Sequence, residues 1–256
     1  MRMPEDSRFL RFAYHWMSTF ADPLRLFRGL VRFPGYLIQM MQYRSIHGAE
    51  KVGLLDTHPC LHDRTSRTPF DRHYYYQNIW SFRKIAADRP FRHVDIGSKI
   101  DFVTYLTTFT EVVFIDLRPL EVTVERLHME TGSILSLPFA DSSAVSVSCL
   151  HVAEHIGLGR YGDPLDPEGT AKATRELQRI LARGGNLYFS VPIGRPRVCF
   201  NAHRVHSVEQ ILDYFHGLEL IELSGIDDHR NYLENCSAEK LNSCNYGCGL
   251  FWFRKP

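Results

Sequence analysis

From Arg92 onward, short apolar runs alternate with mixed segments. FRHVDI (91–96), VVFID (112–116), AVSVSCLHV (144–152) and NLYFSVP (186–192) are compact apolar stretches bounded by glycine, aspartate or proline. Such runs read as strands covered on both faces, and their alternation with helical segments predicts a parallel sheet with helices on both sides. RELQRIL reads as a helix ended at Arg183-Gly184-Gly185, with the glycines as C-terminal punctuation. VEQILDYFHG (208–217) predicts a further helix closed by Gly217, and LELIELSGI (218–226) with GCGLFWFRK (247–255) predicts a terminal antiparallel pair at the sheet edge.

The pattern upstream is different. Residues 7–46 mix aromatic and aliphatic residues with arginine, and Phe9, Phe12, Trp16 and Phe20 recur at near-helical spacing. Pro23 and Pro34 are expected to divide this stretch into two or three short helices. Residues 53–72 are rich in turn formers and read as irregular, whereas DRHYYYQNIWSFRKIAADRP (71–90) reads as a helix ended by Pro90. The expected organisation is an N-terminal helical and irregular extension over 1–71 and a catalytic-type α/β domain over 72–256.

Charge refines this picture. The 256 residues sum to a formal +1, which gives no reason to expect a nucleic-acid partner. Residues 1–51 hold eight Arg or Lys against four Asp or Glu, so the extension packs on the domain as a flap or lies on an anionic membrane surface. Arginines interrupt every apolar run near the N-terminus, so neither a signal peptide nor a membrane span is expected. The six cysteines show no framework spacing and fit a reducing, cytoplasmic setting.

In an open α/β sheet, ligands bind beyond the carboxyl ends of the strands. The first strand ends at Asp95 and turns at Gly97-Ser98, where glycine permits close approach of a ligand. Asp95 is placed to accept a hydrogen bond from an ammonium group, directly or through water. The second strand ends in Asp116, followed by Leu117 and Arg118, and a carboxylate there can bind both hydroxyls of a ribose. Ser133, Ile134 and Leu135 follow in a turn able to wall an adenine ring. GSKIDF lacks the later glycines of G-x-G-x-x-G, which argues against a pyrophosphate-binding dehydrogenase.

With these residues the chain resembles the class I S-adenosylmethionine-dependent methyltransferases, over roughly residues 72–256 and most clearly the type 11 group. The resemblance rests on Asp95-Ile96-Gly97, Asp116, Leu137-Pro138-Phe139-Ala140-Asp141, Glu154-His155, Arg183-Gly184-Gly185 and the stretch NAHRVHSVEQIL (201–212). A looser similarity is to an uncharacterised bacterial group of unknown function associated with surface-polysaccharide genes. The resemblance implies a Rossmann-like, mostly parallel seven-stranded sheet with an antiparallel C-terminal strand. It also implies S-adenosylmethionine as cofactor, held by Asp95, Gly97, Ser98, Asp116, Leu117, Arg118, Ser133, Ile134, Leu135 and His151. Lys99 and Asp101 depart from it, standing where the second and third glycines belong, and Ser133 replaces an acid that often contacts adenine.

For methyl transfer to an oxygen, a base must take the hydroxyl proton. His151, His155 and His203 are the candidate catalytic residues, because they follow the fourth and fifth strands on the rim where the acceptor pocket opens. Glu154, Arg160, Tyr161, Asp163 and His206 are candidate contacts to a small-molecule or glycan acceptor, with the glycine-rich loop 157–170 covering it. Asp166-Pro167 reads as a helix start. HVAEH matches a zinc-protease pattern, but that pattern needs a helix and here follows a strand. No metal is assigned, although Glu154 and His155 resemble an acid–histidine pair that binds metal in some methyltransferases. A non-catalytic methyltransferase-like module is the alternative reading, favoured by Lys99.

Overall fold

The structure is a computed structural model that describes residues 8–118 and 120–256, with side-chain environments from residue 12 onward, so the expectation for the Phe9 side chain lies outside the described residues. The chain divides into two compact units, Met1–Pro69 and Phe70–Pro256.

The first unit contains α1 (Arg8–Ser18) and α2 (Pro23–Ser45). Asp22 caps α2 by accepting the Arg25 N–H at 2.9 Å, and Pro23 occupies the first turn, where its missing N–H is not needed. Pro34, expected to break the helix, lies inside it. Proline removes one hydrogen bond, and the good helix formers on both sides, Leu30, Leu37, Met40 and Met41, carry the helix through.

In the second unit α3 (Arg72–Asp88) starts at Asp71, whose carboxylate accepts the N–H groups of His73 and Tyr74. Then come β1 (Arg92–Ile96), α4 (Ile100–Leu106), β2 (Glu111–Asp116), β3 (Leu127–Thr131) and β4 (Ala144–Leu150). After these follow α5 (Gly169–Ile180), β5 (Leu181–Ile193), the hairpin β6 (Arg197–Cys199) and β7 (His203–Val205), and α6 (Val208–Tyr214). The last elements are β8 (Glu219–Ile226), β9 (Tyr232–Leu233), α7 (Ala238–Asn242) and β10 (Gly247–Arg254).

The main sheet has the order β3-β2-β1-β4-β5-β10-β8-β9. β1 to β5 pair in parallel, and β10 runs antiparallel to both β5 and β8. The seven expected strands are present, and the two-residue β9 extends the β8 edge. β8 and β10 do pair antiparallel, but β10 lies inside the sheet rather than at its margin. Both sheet faces are covered, which explains the nearly unbroken apolar strands. Val112 and Phe114 of β2 join a core with Trp80, Phe102 and Leu106 from α3 and α4. Val113 and Ile115 face the opposite core with Leu177 of α5 and Ile211 of α6.

Two local expectations are corrected. α5 ends at Ile180, and Gly184-Gly185 form a bulge within β5, where the register to β4 jumps from Ala144↔Leu181 to Ser146↔Asn186. Gly184 has φ +72°, and a β-carbon on Gly185 would lie 2.8 Å from the Ala182 oxygen, so the pair bends a strand rather than closing a helix. α5 begins at Gly169 instead of Pro167; Asp166 still accepts the Glu168 N–H at 3.0 Å and its backbone oxygen the Gly169 N–H at 3.1 Å, so a turn capped by Asp166 leads into the helix.

Candidate active site

β1 delivers the chain to Gly97, which has φ +65° and donates its N–H to the Ile115 oxygen at 2.8 Å. A β-carbon there would press on Val152 at 3.2 Å. Asp95 is fully buried behind this turn: its carboxylate accepts the Ser98 N–H at 3.0 Å and the Ser148 hydroxyl, and burial raises its pKa to about 6. The Ser98 hydroxyl accepts the Leu150 N–H at 3.2 Å. Asp95 is therefore committed to tying the β1 turn to β4 and does not line a cavity, so the expected ammonium contact has no open face.

Two adjoining cavities open beyond the strand ends. The smaller, about 80 Å³, lies between Ile96, Ile115, Ile134, Val152 and Ile156, with Gly97, Asp116, Leu117 and Arg118 at its side. The larger, about 700 Å³, is walled by residues that include Tyr74, Ser98, Lys99, His151, Glu154, His203 and Tyr246. Gly97, Asp116, Arg118, His151, His155 and Tyr161 belong to both walls, so the two form one continuous space. Ile134 thus stands on the apolar slot, whereas Ser133 and Leu135 do not; the Ser133 hydroxyl instead accepts the Leu135 N–H at 3.2 Å. Lys99 does not plug the space. Its ammonium lies 3.6 Å from the centre of the Tyr74 ring on the wall, and Phe102 is buried in the core.

Asp116 terminates β2 half-buried, with one carboxylate oxygen accepting the Arg118 N–H at 2.8 Å. The Arg118 guanidinium reaches the Tyr161 ring at 5.0 Å, and Arg160 approaches the same ring at 5.2 Å. Loop 157–170 is held against the site through this aromatic contact. Asp163 is not on the wall; its carboxylate accepts the N–H groups of Gly157 and Tyr161 and shapes the loop from within. Arg204 anchors the same loop by donating to the oxygens of Ile156 and Asp166.

The centre of the site is a buried ion pair. His151 has φ +57°, unusual for a residue with a β-carbon, and this backbone turns its ring toward Glu154. Nδ1 of His151 lies 2.8 Å from a Glu154 oxygen, with side chains 5% and 1% exposed. Burial opposes charge on His151, but the Glu154 carboxylate beside it outweighs that penalty and raises the imidazole pKa well above the ordinary range. Burial likewise works against the Glu154 charge, and His151 more than offsets it, so its pKa is lowered. Nε2 of His151 and the second Glu154 oxygen have no partner among the described residues.

The other histidines differ. Burial lowers the pKa of His203 to about 4, leaving it neutral near pH 7 on the cavity wall. His155 Nδ1 contacts the Ala202 oxygen at 2.5 Å, and its other nitrogen is 3.6 Å from Glu154. The H-x-x-E-H segment forms a single 3-10 turn, Ala153–His155, and not the helix a zinc site of that kind needs. His206 is turned away from the wall and packs edge-on against Tyr214 at 6.0 Å, so the acceptor contact expected of it is not formed.

Among the wall residues that escaped the sequence reading are His73, Tyr74 and Tyr246. His73 stacks on His151 at 6.2 Å and on Tyr246 at 5.6 Å, and Tyr74 tilts against His151 at 5.4 Å. His73 and Tyr74 come from the first turn of α3 and Tyr246 from the approach to β10. The one local signal for His73 and Tyr74 was the HYYY cluster (73–76) in the first turn after the capping Asp71, and Tyr246 carried no such signal.

A family model described as Caenorhabditis protein of unknown function, DUF268, matches residues 109–246, more than half of the chain. The chain belongs to this family. The DUF268 match takes in Asp116, His151, Glu154, His155, His203 and Tyr246, while Gly97, Lys99 and His73 precede it. It gives no support to the looser bacterial resemblance.

Solved structures share the fold. The N-methyltransferase NodS from Bradyrhizobium japonicum is 17% identical with a TM-score of 0.53, covering 73% of this chain and 98% of its own. YcgJ from Bacillus subtilis is 13% identical with a TM-score of 0.51, covering 71% and 99%. The [4+2]-cyclase SpnF is 15% identical with a TM-score of 0.50, covering 69% and 81%. These likenesses show the Rossmann-like α/β fold in this DUF268 chain. The search of curated proteins found no match.

Proposed function

We propose that the protein is an S-adenosylmethionine-dependent methyltransferase acting on a hydroxyl of a small molecule or glycan, including surface-polysaccharide precursors. The observation that carries this reading is the continuous space in which the Gly97 turn and Asp116 adjoin an apolar slot on one side and a histidine-lined chamber on the other. The residues fit the cofactor. Gly97 leaves the backbone open to close approach, Asp116 offers a carboxylate for a ribose diol, and Ile134, Val152 and Ile156 wall a slot suited to a flat apolar ring. S-adenosylmethionine supplies an electrophilic methyl carbon, and the protein's task is alignment and proton handling.

The protonation states divide the histidine roles. His151 already carries its proton, so it serves as a charged hydrogen-bond donor and not as the base. His203 is neutral and able to take a hydroxyl proton. Tyr74, Tyr246 and Arg160 wall a chamber whose size falls in the range of small-molecule sites, and their mixture of rings and donors suits a sugar-like acceptor.

Calorimetry with S-adenosylhomocysteine tests the cofactor assignment. Asp116→Ala should weaken binding by about 1.5–3 kcal/mol, the value of a hydrogen bond to a charged group. His203→Gln should leave that affinity intact while lowering transfer to any acceptor found. One observation favours a second reading, a non-catalytic module: Arg118 already occupies one oxygen of Asp116. Silence of the wild-type protein at millimolar ligand would select that reading.

A further inference from the structure

Beyond the α/β unit, α2 carries a feature that the methyltransferase reading does not use. At 100° per residue, Leu26, Phe27, Leu30, Leu37, Ile38 and Met41 fall on one broad face of this helix, and Arg25, Arg28 and Arg32 cluster on the opposite side. Each of those six apolar residues is between 37% and 67% exposed, and α2 has no buried residue. A soluble helix of 23 residues normally hides such a face.

The unit's own chain covers the other side. The segment after α2 returns alongside the helix: Arg32, on the polar side, donates to the Leu61 oxygen at 2.9 Å, and Arg44, in line with the Leu26 edge of the apolar face, donates to the Val52 oxygen at 2.6 Å. His62 packs near Gly29, about 120° from the centre of the apolar face. Leu61 and His62 reach the Leu26 and Leu30 edge of the apolar face without covering it, and all six of its residues remain exposed.

Charge identifies the occupant. Neither α1 nor α2 contains an aspartate or glutamate, and residues 1–51 carry a net +4 (eight basic, four acidic). A second protein copy would bring the same positive charge, whereas an anionic lipid surface complements it. At 1.5 Å per residue α2 is about 34 Å long, yet no helix among the described residues is long and apolar enough to cross a membrane. From these observations we infer that α2 is an interfacial helix that lies in the headgroup layer of an anionic bilayer, with its Leu30–Ile38 face in the acyl boundary and its arginines toward lipid phosphates and water.

The full-length protein is tested by co-sedimentation with phosphatidylcholine vesicles with and without phosphatidylserine. Binding to the anionic vesicles that weakens with added salt is the expected result, with little retention on pure phosphatidylcholine. The Leu30→Glu, Ile38→Glu double variant should lose at least about tenfold in partitioning, and Arg25→Gln, Arg28→Gln, Arg32→Gln together should erase the preference for phosphatidylserine. Circular dichroism and unchanged thermal unfolding of the α/β unit in each variant establish that the fold is retained. No sedimentation with anionic vesicles at low salt overturns the inference. So does a wild-type dimer in light scattering that Leu30→Glu, Ile38→Glu converts to monomer, since the face would then belong to a second copy. Neither result bears on S-adenosylhomocysteine binding, so this inference and the methyltransferase reading fail separately.

Discussion

His151 and Glu154 are individually costly in the interior and stable only together. Removing one partner of a buried pair leaves an uncompensated charge, which typically destabilises by about 3–5 kcal/mol. His151→Ala should therefore lower stability by that order in urea unfolding, and His151→Leu with Glu154→Leu should recover most of the loss. A double variant no more stable than the single one would show that the pair is not coupled. Gly97 makes a different demand. Its φ of +65° and the 3.2 Å approach to Val152 mean that Gly97→Ala strains the turn as well as crowding it. A stability loss above about 1 kcal/mol is expected, together with weaker S-adenosylhomocysteine binding by calorimetry. At this scale the sequence was partly legible: Asp116 and Gly97 announced themselves through strand ends. His73 and Tyr246 did not, because they lie 78 and 95 residues from His151, and the packing of α3 and the β10 approach alone brings His73 onto His151 and Tyr246 onto His73.

Among the elements, the apolar runs that predicted β1, β2, β4 and β5 were read well because burial on both faces leaves an almost continuous signal. Glycine was more ambiguous, since the same residue serves helix ends and strand bulges. In β5 the distinction is decided by Gly185, whose hydrogens face the carbonyl oxygens of Ala182, Val145 and Ala144. Gly185→Ala should accordingly cost more stability than Gly184→Ala, which has open space and meets only the backbone penalty of about 1 kcal/mol. Equal losses in thermal unfolding would contradict the bulge account. Pro34 taught the reverse lesson: a residue that usually stops a helix is absorbed when strong helix formers flank it. The loop 157–170 was singled out in the sequence, and its Arg160 and Tyr161 stand on the cavity wall, but its anchor, Arg204, looked like one charge among many until it donated to the oxygens of Ile156 and Asp166.

For the whole molecule, the buried histidines set the acid response. Burial holds His93 at about 3 and His73, His203 and His206 at about 4, against about 6.5 in an unfolded chain. Between about pH 6.5 and 4 the unfolded state binds protons that the folded state refuses, so stability rises with pH across that window and is lost as the solution is acidified. His151 acts in the opposite sense, because its raised pKa contributes stability that fades only as pH rises through that value. Urea unfolding at pH 7, 5.5 and 4.5 should show a steady fall of several kcal/mol, and a flat profile would contradict the burial of these rings. The placement of β10 has a separate consequence. Phe251 and Phe253 sit between β5 and β8, yet they follow every other strand in the chain. During synthesis the parallel half emerges with its seam unfilled, and β8 has only the two-residue β9 beside it until residues 247–254 leave the ribosome. The nascent domain therefore waits with a bare slot flanked by β5, an invitation to chaperones or to misannealing that a sheet assembled strictly in chain order would not present.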